Sequence, residues 1–164
     1  MKIYGLAGWS GSGKTTLMVR LLPILADQGL RLATVKHSHH KVRLTTPEME
    51  SDFAAGAHEC LVAGPERFLL VKAFAEETEH GLEDLLARLR DVDLVLIEGF
   101  KTYPHPKIEV YRSELGKPLW CLSDPHVAAV ATDDPFLPLP VPRLDLNDPG
   151  EIARFIVENG RKLL

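Results

Sequence analysis

The apolar positions of the chain change period several times, and each change marks an element. Ile3-Tyr4-Gly5-Leu6-Ala7 is a short apolar run that reads as a buried strand. Residues 16–28 then place Leu17, Leu21, Ile24 and Leu25 on one stripe at helical spacing. Pro23 falls inside that run and removes one helical donor, which predicts a kink or an early end, and Gly29 is a natural stop. Residues 30–35 read as a second strand, and residues 46–55 as a loop and short helix closed by Gly56. Residues 58–62 and 67–73 are two short strands around the turn signal Gly64-Pro65. A parallel crossover needs about a dozen residues or more, so these two are expected to form a hairpin.

Residues 81–90 predict a compact helix with Leu82, Leu85, Leu86 and Leu89 on one face. Leu94-Val95-Leu96-Ile97 follows, unbroken between Asp93 and Glu98, and such a run suits a strand buried on both faces of a parallel sheet. Residues 107–111, 119–122 and 127–131 are further strand candidates. Pro135, Pro138, Pro140 and Pro142 alternate with Phe136, Leu137, Leu139 and Val141 in an extended connector. Asp148 caps a last helix to about residue 161, with Ile152, Phe155 and Ile156 inward. Strands alternating with helices predict an α/β fold of the phosphate-loop type: a mostly parallel sheet flanked by helices, with its ligand at the carboxyl ends of the strands. Residues 58–74 and 101–122 offer more short strands than that sheet needs, and unpaired edges predict pairing with a second copy at a dimer interface.

Composition narrows the class. At 164 residues the expectation is a single nucleotide-binding domain over 1–164 with a substantial core. A net charge of −4 gives no general attraction to nucleic acid or to an acidic membrane surface. Cys60 and Cys121 stand in no metal-ligand spacing, which predicts a reducing compartment. The first strand runs straight into the following loop, leaving no room for a signal peptide, and no apolar stretch approaches the ~20 residues of a membrane span. A cytoplasmic protein is the expectation.

The loop after the first strand carries the chemistry. Gly8-Trp9-Ser10-Gly11-Ser12-Gly13-Lys14-Thr15-Thr16 fits the phosphate-loop pattern G-x-x-x-x-G-K-[ST] at every fixed position. Glycines let successive N–H groups converge on one anion. Lys14 brings a positive charge to the outer phosphates, Thr15 a hydroxyl to magnesium, and the next helix its unpaired N–H groups. The plain alternative is a chance glycine-rich turn, and the setting between a buried strand and a helix argues against it. Gly8, Ser10, Gly11, Ser12, Gly13, Lys14, Thr15 and Thr16 are therefore the expected nucleotide-binding residues.

Glu98 closes the apolar strand, where phosphate-loop proteins place an acid for magnesium, so Thr15 and Glu98 are the expected metal ligands. Gly99 lets the backbone pass close by, whereas Asp93 lies at the wrong end of the strand and reads as a cap or turn residue. Lys14 and Glu98 are the candidate catalytic pair. Lys36, His37, His39 and His40 end the second strand at the same sheet edge. Three histidines raise a zinc reading, but no distant third ligand accompanies them and a strand sends alternate side chains to opposite faces. Phosphate or substrate contact by Lys36 and His37 is expected, beside the plain reading of a solvated basic turn. No arginine finger is evident next to the loop.

With these pieces placed, the chain resembles the adapter family of molybdopterin-guanine dinucleotide biosynthesis. The resemblance rests on the loop through Leu17, on Thr34-Val35-Lys36-His37, on Ala55-Gly56-Ala57 and on the stretch from Asp93 to Glu98-Gly99-Phe100-Lys101. It continues through Pro106-Lys107-Ile108-Glu109-Val110 with Arg112, Val130-Ala131-Thr132-Asp133 and Leu144-Asp145-Leu146-Asn147-Asp148. These stretches keep the family's order. The resemblance implies binding of GTP with Mg2+, weak GTP hydrolysis, a two-fold dimer, and a partner, the molybdopterin guanylyltransferase, with molybdopterin itself a further candidate ligand. It assigns the loop and magnesium roles to Lys14, Thr15 and Glu98. One segment departs: where the family shows a Gly-Lys-Asp-Ser-like stretch, this chain reads Thr46-Pro47-Glu48-Met49-Glu50-Ser51-Asp52, with Glu48 and Asp52 as the acids on offer.

The competing reading is a small phosphate-loop kinase, which needs a lid of arginines. The arginines of this chain do not cluster in one segment. A switch GTPase would carry an Asn-Lys-x-Asp base reader, and only Thr132-Asp133 stands in a comparable place. Guanine preference therefore rests on the resemblance.

Overall fold

The computed structural model describes residues 1–38, 44–74, 76 and 80–162. In chain order the elements are β1 (Lys2–Ala7), α1 (Lys14–Ala26), β2 (Leu32–Lys36), α2 (Pro47–Ala54), β3 (Glu59–Ala63), β4 (Phe68–Lys72), α3 (Leu82–Leu86), β5 (Leu94–Glu98), β6 (Lys107–Tyr111), β7 (Val127–Thr132), β8 (Arg143–Asp145), α4 (Pro149–Asn159) and β9 (Arg161–Lys162). They fall into two compact units: Met1–His37 with Leu82–Leu164, and Ser38–Gly81.

The first unit is built on a sheet of order β2-β5-β1-β6-β7-β8, with every pair along that path parallel. The expected α/β fold is what this sheet and its helices make. β5 pairs with β1 from Lys2 to Leu6, while β6 meets β1 only over Gly5 to Ala7. β9 takes up the remainder, antiparallel to Lys2 and Ile3. Alternation along β5 feeds two cores. Leu94 and Leu96 join Tyr4, Leu6, Ile108 and Val110 beneath Leu17, Leu21 and Leu25 of α1 and Ile152 and Ile156 of α4. Val95 and Ile97 face the other way, onto Leu82 and Leu86 of α3. No helix among the described residues is long and apolar enough to cross a membrane.

Several expectations need correction. Pro23 does not end α1 early: the helix runs through to Ala26. The carbonyl it deprives of a partner belongs to Val19, an exposed residue. α3 is shorter than the predicted 81–90, because beyond Leu86 the bonds tighten, with Arg88 and Leu89 donating to carbonyls three residues back. Residues 119–122 hold no strand; Trp120–Leu122 is a 3-10 turn. Its donors are taken by the buried Glu109 carboxylate, which accepts from Trp120 N at 2.8 Å and Cys121 N at 2.9 Å. Of residues 101–122, only β6 is a strand, and it lies inside the main sheet. The last helix stops at Asn159, and β8 and β9 are strands that the hydrophobic pattern did not announce.

In the second unit β3 and β4 form the expected antiparallel hairpin, from Glu59↔Lys72 to Ala63↔Phe68. α2 starts at a Thr46 cap whose hydroxyl accepts from Met49 N, so the divergent segment is helical. Leu61, Val62, Phe68, Leu69 and Leu70 of the hairpin are all exposed.

Candidate functional site

The chain leaves β1 at Ala7 and enters a loop that only glycine permits. Gly8, Gly11 and Gly13 have φ of 136°, 83° and 96°. A Cβ on Gly8 would stand 2.4 Å from the Val110 carbonyl, so the loop lies against β6 as closely as backbone allows. α1 begins at Lys14 with no side-chain cap, leaving its first-turn N–H groups for a ligand. Ser12 is buried, and its hydroxyl has no hydrogen-bond partner among the described residues. Ser10, Gly11, Thr15 and Thr16 are exposed. Lys14 Nζ donates to the Trp9 carbonyl at 2.8 Å. Burial pushes the Lys14 ammonium below its ordinary pKa; Lys101 and Lys36 add to this and Glu98 opposes it.

Glu98 ends β5 beside the loop. Thr15 Oγ1 donates to both of its carboxylate oxygens, at 3.0 and 3.1 Å. Lys36, in register with Glu98 on β2, brings Nζ to 3.5 Å of Oε1. His37 N donates to the Glu98 carbonyl at 2.9 Å, and its ring stacks on Phe100 with centroids 4.7 Å apart. Gly99 (φ 98°) makes that approach possible, since a Cβ there would meet His37 Cβ at 2.7 Å. Lys14, Thr15, Lys36, His37 and Glu98 are thus brought to one edge of the sheet. His39 and His40 lie outside the described residues. Asp93, at the other end of β5, pairs with Arg31 at 3.0 Å, as a turn residue would.

A convergent set of N–H groups, a buried orphan hydroxyl and a lysine suit a polyphosphate. A hydroxyl and a carboxylate in contact are hard oxygen donors, the chemistry of Mg2+, which takes its other ligands from phosphate and water. Among the described residues no group of three or more His, Cys, Asp or Glu could hold a metal alone.

Residues to which the sequence reading gave no site role also meet the loop. Arg112, the first residue after β6, lies alongside Gly13: its Nε and Nη2 are each 3.8 Å from where a Cβ on Gly13 would be. The sequence shows no arginine finger beside the loop; the fold brings this one alongside it from the end of β6. Its partner is Asp133, at the end of β7. Trp9 donates from Nε1 to the Pro118 carbonyl at 2.9 Å and packs edge-on against Trp120, over which Lys101 Nζ sits at 4.9 Å. Behind them, the buried Lys107 ammonium donates to the carbonyls of Lys101 and Tyr103 and to Asp124, all within 3.0 Å, and so fixes the segment that follows Glu98. The signal available for Arg112 was positional: a charged residue just past the end of a strand, where Glu98 also stands.

Comparison with known proteins agrees over nearly the whole chain. The family described as molybdopterin guanine dinucleotide synthesis protein B matches over residues 3–133. The molybdopterin-guanine dinucleotide biosynthesis adapter protein of Escherichia coli (strain K12) is 40% identical over 157 residues, which is 93% of this chain and 89% of that protein. Its counterpart in Haemophilus influenzae is 40% identical over 162 residues, 94% of this chain and 86% of that one. The crystal structure of a MobB protein homologue from Bacillus stearothermophilus superposes with a TM-score of 0.68 at 29% identity, covering 96% of this chain and 97% of the other.

Proposed function

The chain belongs to the molybdopterin guanine dinucleotide synthesis protein B family, and from that membership we propose that it is a GTP-binding adapter in molybdopterin guanine dinucleotide biosynthesis. In this reading it binds GTP with Mg2+, hydrolyses it weakly, and assists the guanylyltransferase. The observation that supports nucleotide binding is the Thr15–Glu98 contact, at 3.0 and 3.1 Å, beside a glycine loop that ends in Lys14. Guanine and the adapter role are supported by the relatives' names.

The residues divide the work by their chemistry. Backbone N–H groups from Gly8 to Thr16, with the Ser12 hydroxyl, hold the phosphates. Lys14 leaves the Trp9 carbonyl for the outer phosphates. Thr15 and Glu98 would hold the cation, which would supply charge neutralisation at the phosphoryl oxygens. Lys36 balances Glu98 and faces the same end, and His37 orients the strand end through its stack on Phe100. The reading keeps residues 1–164 as one nucleotide-binding domain, with the hairpin unit inserted in the chain between β2 and α3. It also includes a homodimer. A two-stranded hairpin with exposed Leu61, Val62, Phe68, Leu69 and Leu70 is not stable in water by itself, and a second copy can cover it.

Isothermal titration of GTP against ATP, each with magnesium, tests the reading, followed by addition of the guanylyltransferase. GTP preference and a gain in guanylyltransferase activity are expected. Preference for ATP with turnover of a small acceptor would favour the kinase instead.

A further inference from the structure

We propose that Arg112 is a second phosphate-contacting side chain of the loop site, reaching the inner phosphates of a bound nucleoside polyphosphate from the β6 side. The inference rests on the nucleotide reading above and deepens it. β1 has β5 on one side and β6 on the other. Thr15, Glu98 and Lys36 gather on the β5 side. Arg112 stands on the β6 side, one residue past the end of that strand.

Its guanidinium presents two edges. Nη1 donates to Asp133, and among the described residues that is the one hydrogen bond the guanidinium makes. The other edge, Nε with Nη2, faces the loop at Gly13, 3.8 Å from the position of a Cβ there. A planar fork with one edge fixed by a carboxylate and the other turned to a phosphate-type loop suits bidentate contact with phosphate oxygens.

The plainer account is a cross-strand ion pair that joins β6 to β7. Tyr111 and Thr132 are in register, so Arg112 and Asp133 are the next residues along. That account explains Nη1 alone. Asp133 lies on the far side of β6 from the loop, and a pair serving only to tie β6 to β7 has no need to lay its second edge along Gly13. With the outer phosphates drawn to Lys14, Thr15 and Glu98, the inner end of the phosphate chain lies toward β6, where Arg112 is.

The test compares wild type, Arg112→Gln, Arg112→Lys and Lys14→Ala for affinity toward GDP and GTP, and for thermal unfolding without nucleotide. R112Q is expected to weaken GDP and GTP by the same factor, roughly tenfold as for a charge-assisted hydrogen bond. R112K recovers part of the loss, because the charge stays and the fork goes. The unfolding midpoint without nucleotide stays close to the wild-type value, since both side chains of the ion pair, about a third exposed, remain in reach of water, which screens the pair. Lys14→Ala, by contrast, weakens GTP more than GDP. Wild-type affinity in R112Q would overturn the proposal. So would a loss confined to GTP, or a fall in the midpoint that tracks the loss of affinity. If Lys14→Ala also bound both nucleotides normally, the nucleotide reading itself would fall, an outcome distinct from failure of Arg112 alone.

Discussion

His105 should make the fold sensitive to mild acid, and the size of the effect follows from its surroundings. The side chain is 1% exposed, just before the strand that flanks the loop-bearing β1. Its Nδ1 lies 3.1 Å from the Tyr103 carbonyl, which fits a donated N–H there. Nε2 points at Gly5, 2.4 Å from where a Cβ would be, and has no hydrogen-bond partner among the described residues. A proton added at Nε2 therefore has no acceptor. Burial first, and then the Lys107 charge, push the pKa from 6.5 down to about 4, against the opposing pull of the Tyr103 carbonyl and Asp124.

Below pH 6.5 the unfolded chain takes up a proton that the folded chain refuses until about pH 4. Stability contributed by the neutral ring is therefore whole above pH 6.5 and is lost as the pH falls toward 4. At 1.36 kcal/mol per pKa unit the full loss is about 3 kcal/mol, of which about 2 is gone by pH 5. That is a large part of a typical domain's ~5–15 kcal/mol. Urea unfolding followed by tryptophan fluorescence at pH 7.5, 6 and 5 measures it, for wild type and for His105→Gln. The variant lacks the titration, so its stability should fall by about 2 kcal/mol less than wild type between pH 7.5 and 5. The acids that titrate lower, such as Asp93 held at about 2 by Arg31, are common to both proteins and cancel. Equal pH dependences in the two proteins would refute the reasoning, whatever their stabilities at pH 7.5.

Lys14→Ala should cost about two orders of magnitude in GTP affinity, the scale of lost charge-assisted contacts, with the unfolding midpoint unchanged; calorimetry reads both, and wild-type binding would remove the site from this loop. Glu98→Gln should shift the magnesium titration of GTP binding to higher concentration while leaving metal-free binding nearly intact, because the amide keeps the shape and loses the charge; superimposed titrations would count against the metal role. Phe68→Glu with Leu61→Lys should turn a dimer into a monomer in light scattering, since both side chains are exposed on the hairpin; a wild-type protein that is already a monomer at high concentration would end the dimer proposal. Single-turnover GTP hydrolysis by the isolated protein should run well below the ~1–100 s⁻¹ of kinases, and fast turnover indifferent to the guanylyltransferase would contradict an adapter.

What could be read from the sequence was whatever a local pattern encodes. The loop is a fixed spacing of glycines and Lys14, and β5 is an unbroken apolar run that tolerates burial on both faces. The hairpin was legible because only a turn separates its strands. Other features depend on distant residues. Trp120–Leu122 has the composition of a strand, yet Glu109, eleven positions earlier, takes its N–H groups and curls it. β8 and β9 are three and two residues long, too short for any period, and exist because β7 and β1 have edges to offer.

The candidate site divides along the same line, and sheet order explains why. A sequence read alone supplies the residues at strand ends, but not which ends adjoin the loop. In the order β2-β5-β1-β6-β7 the loop that follows β1 has the ends of β5 and β6 as its nearest neighbours, and those of β2 and β7 next. On one side the near strand supplies an acid and the far one a base, Glu98 with Lys36 at 3.5 Å. On the other the near strand supplies a base and the far one an acid, Arg112 with Asp133. The first pair was found because an apolar strand ending in Glu is a known companion of this loop. The second has the same logic with the charges exchanged, and although both residues stand in stretches that carry the resemblance, nothing in those stretches pairs them or sets them beside the loop. A ligand with a cation at one end of its phosphates and bare oxygens at the other would match the two sides in turn: carboxylate toward the cation, guanidinium toward the oxygens.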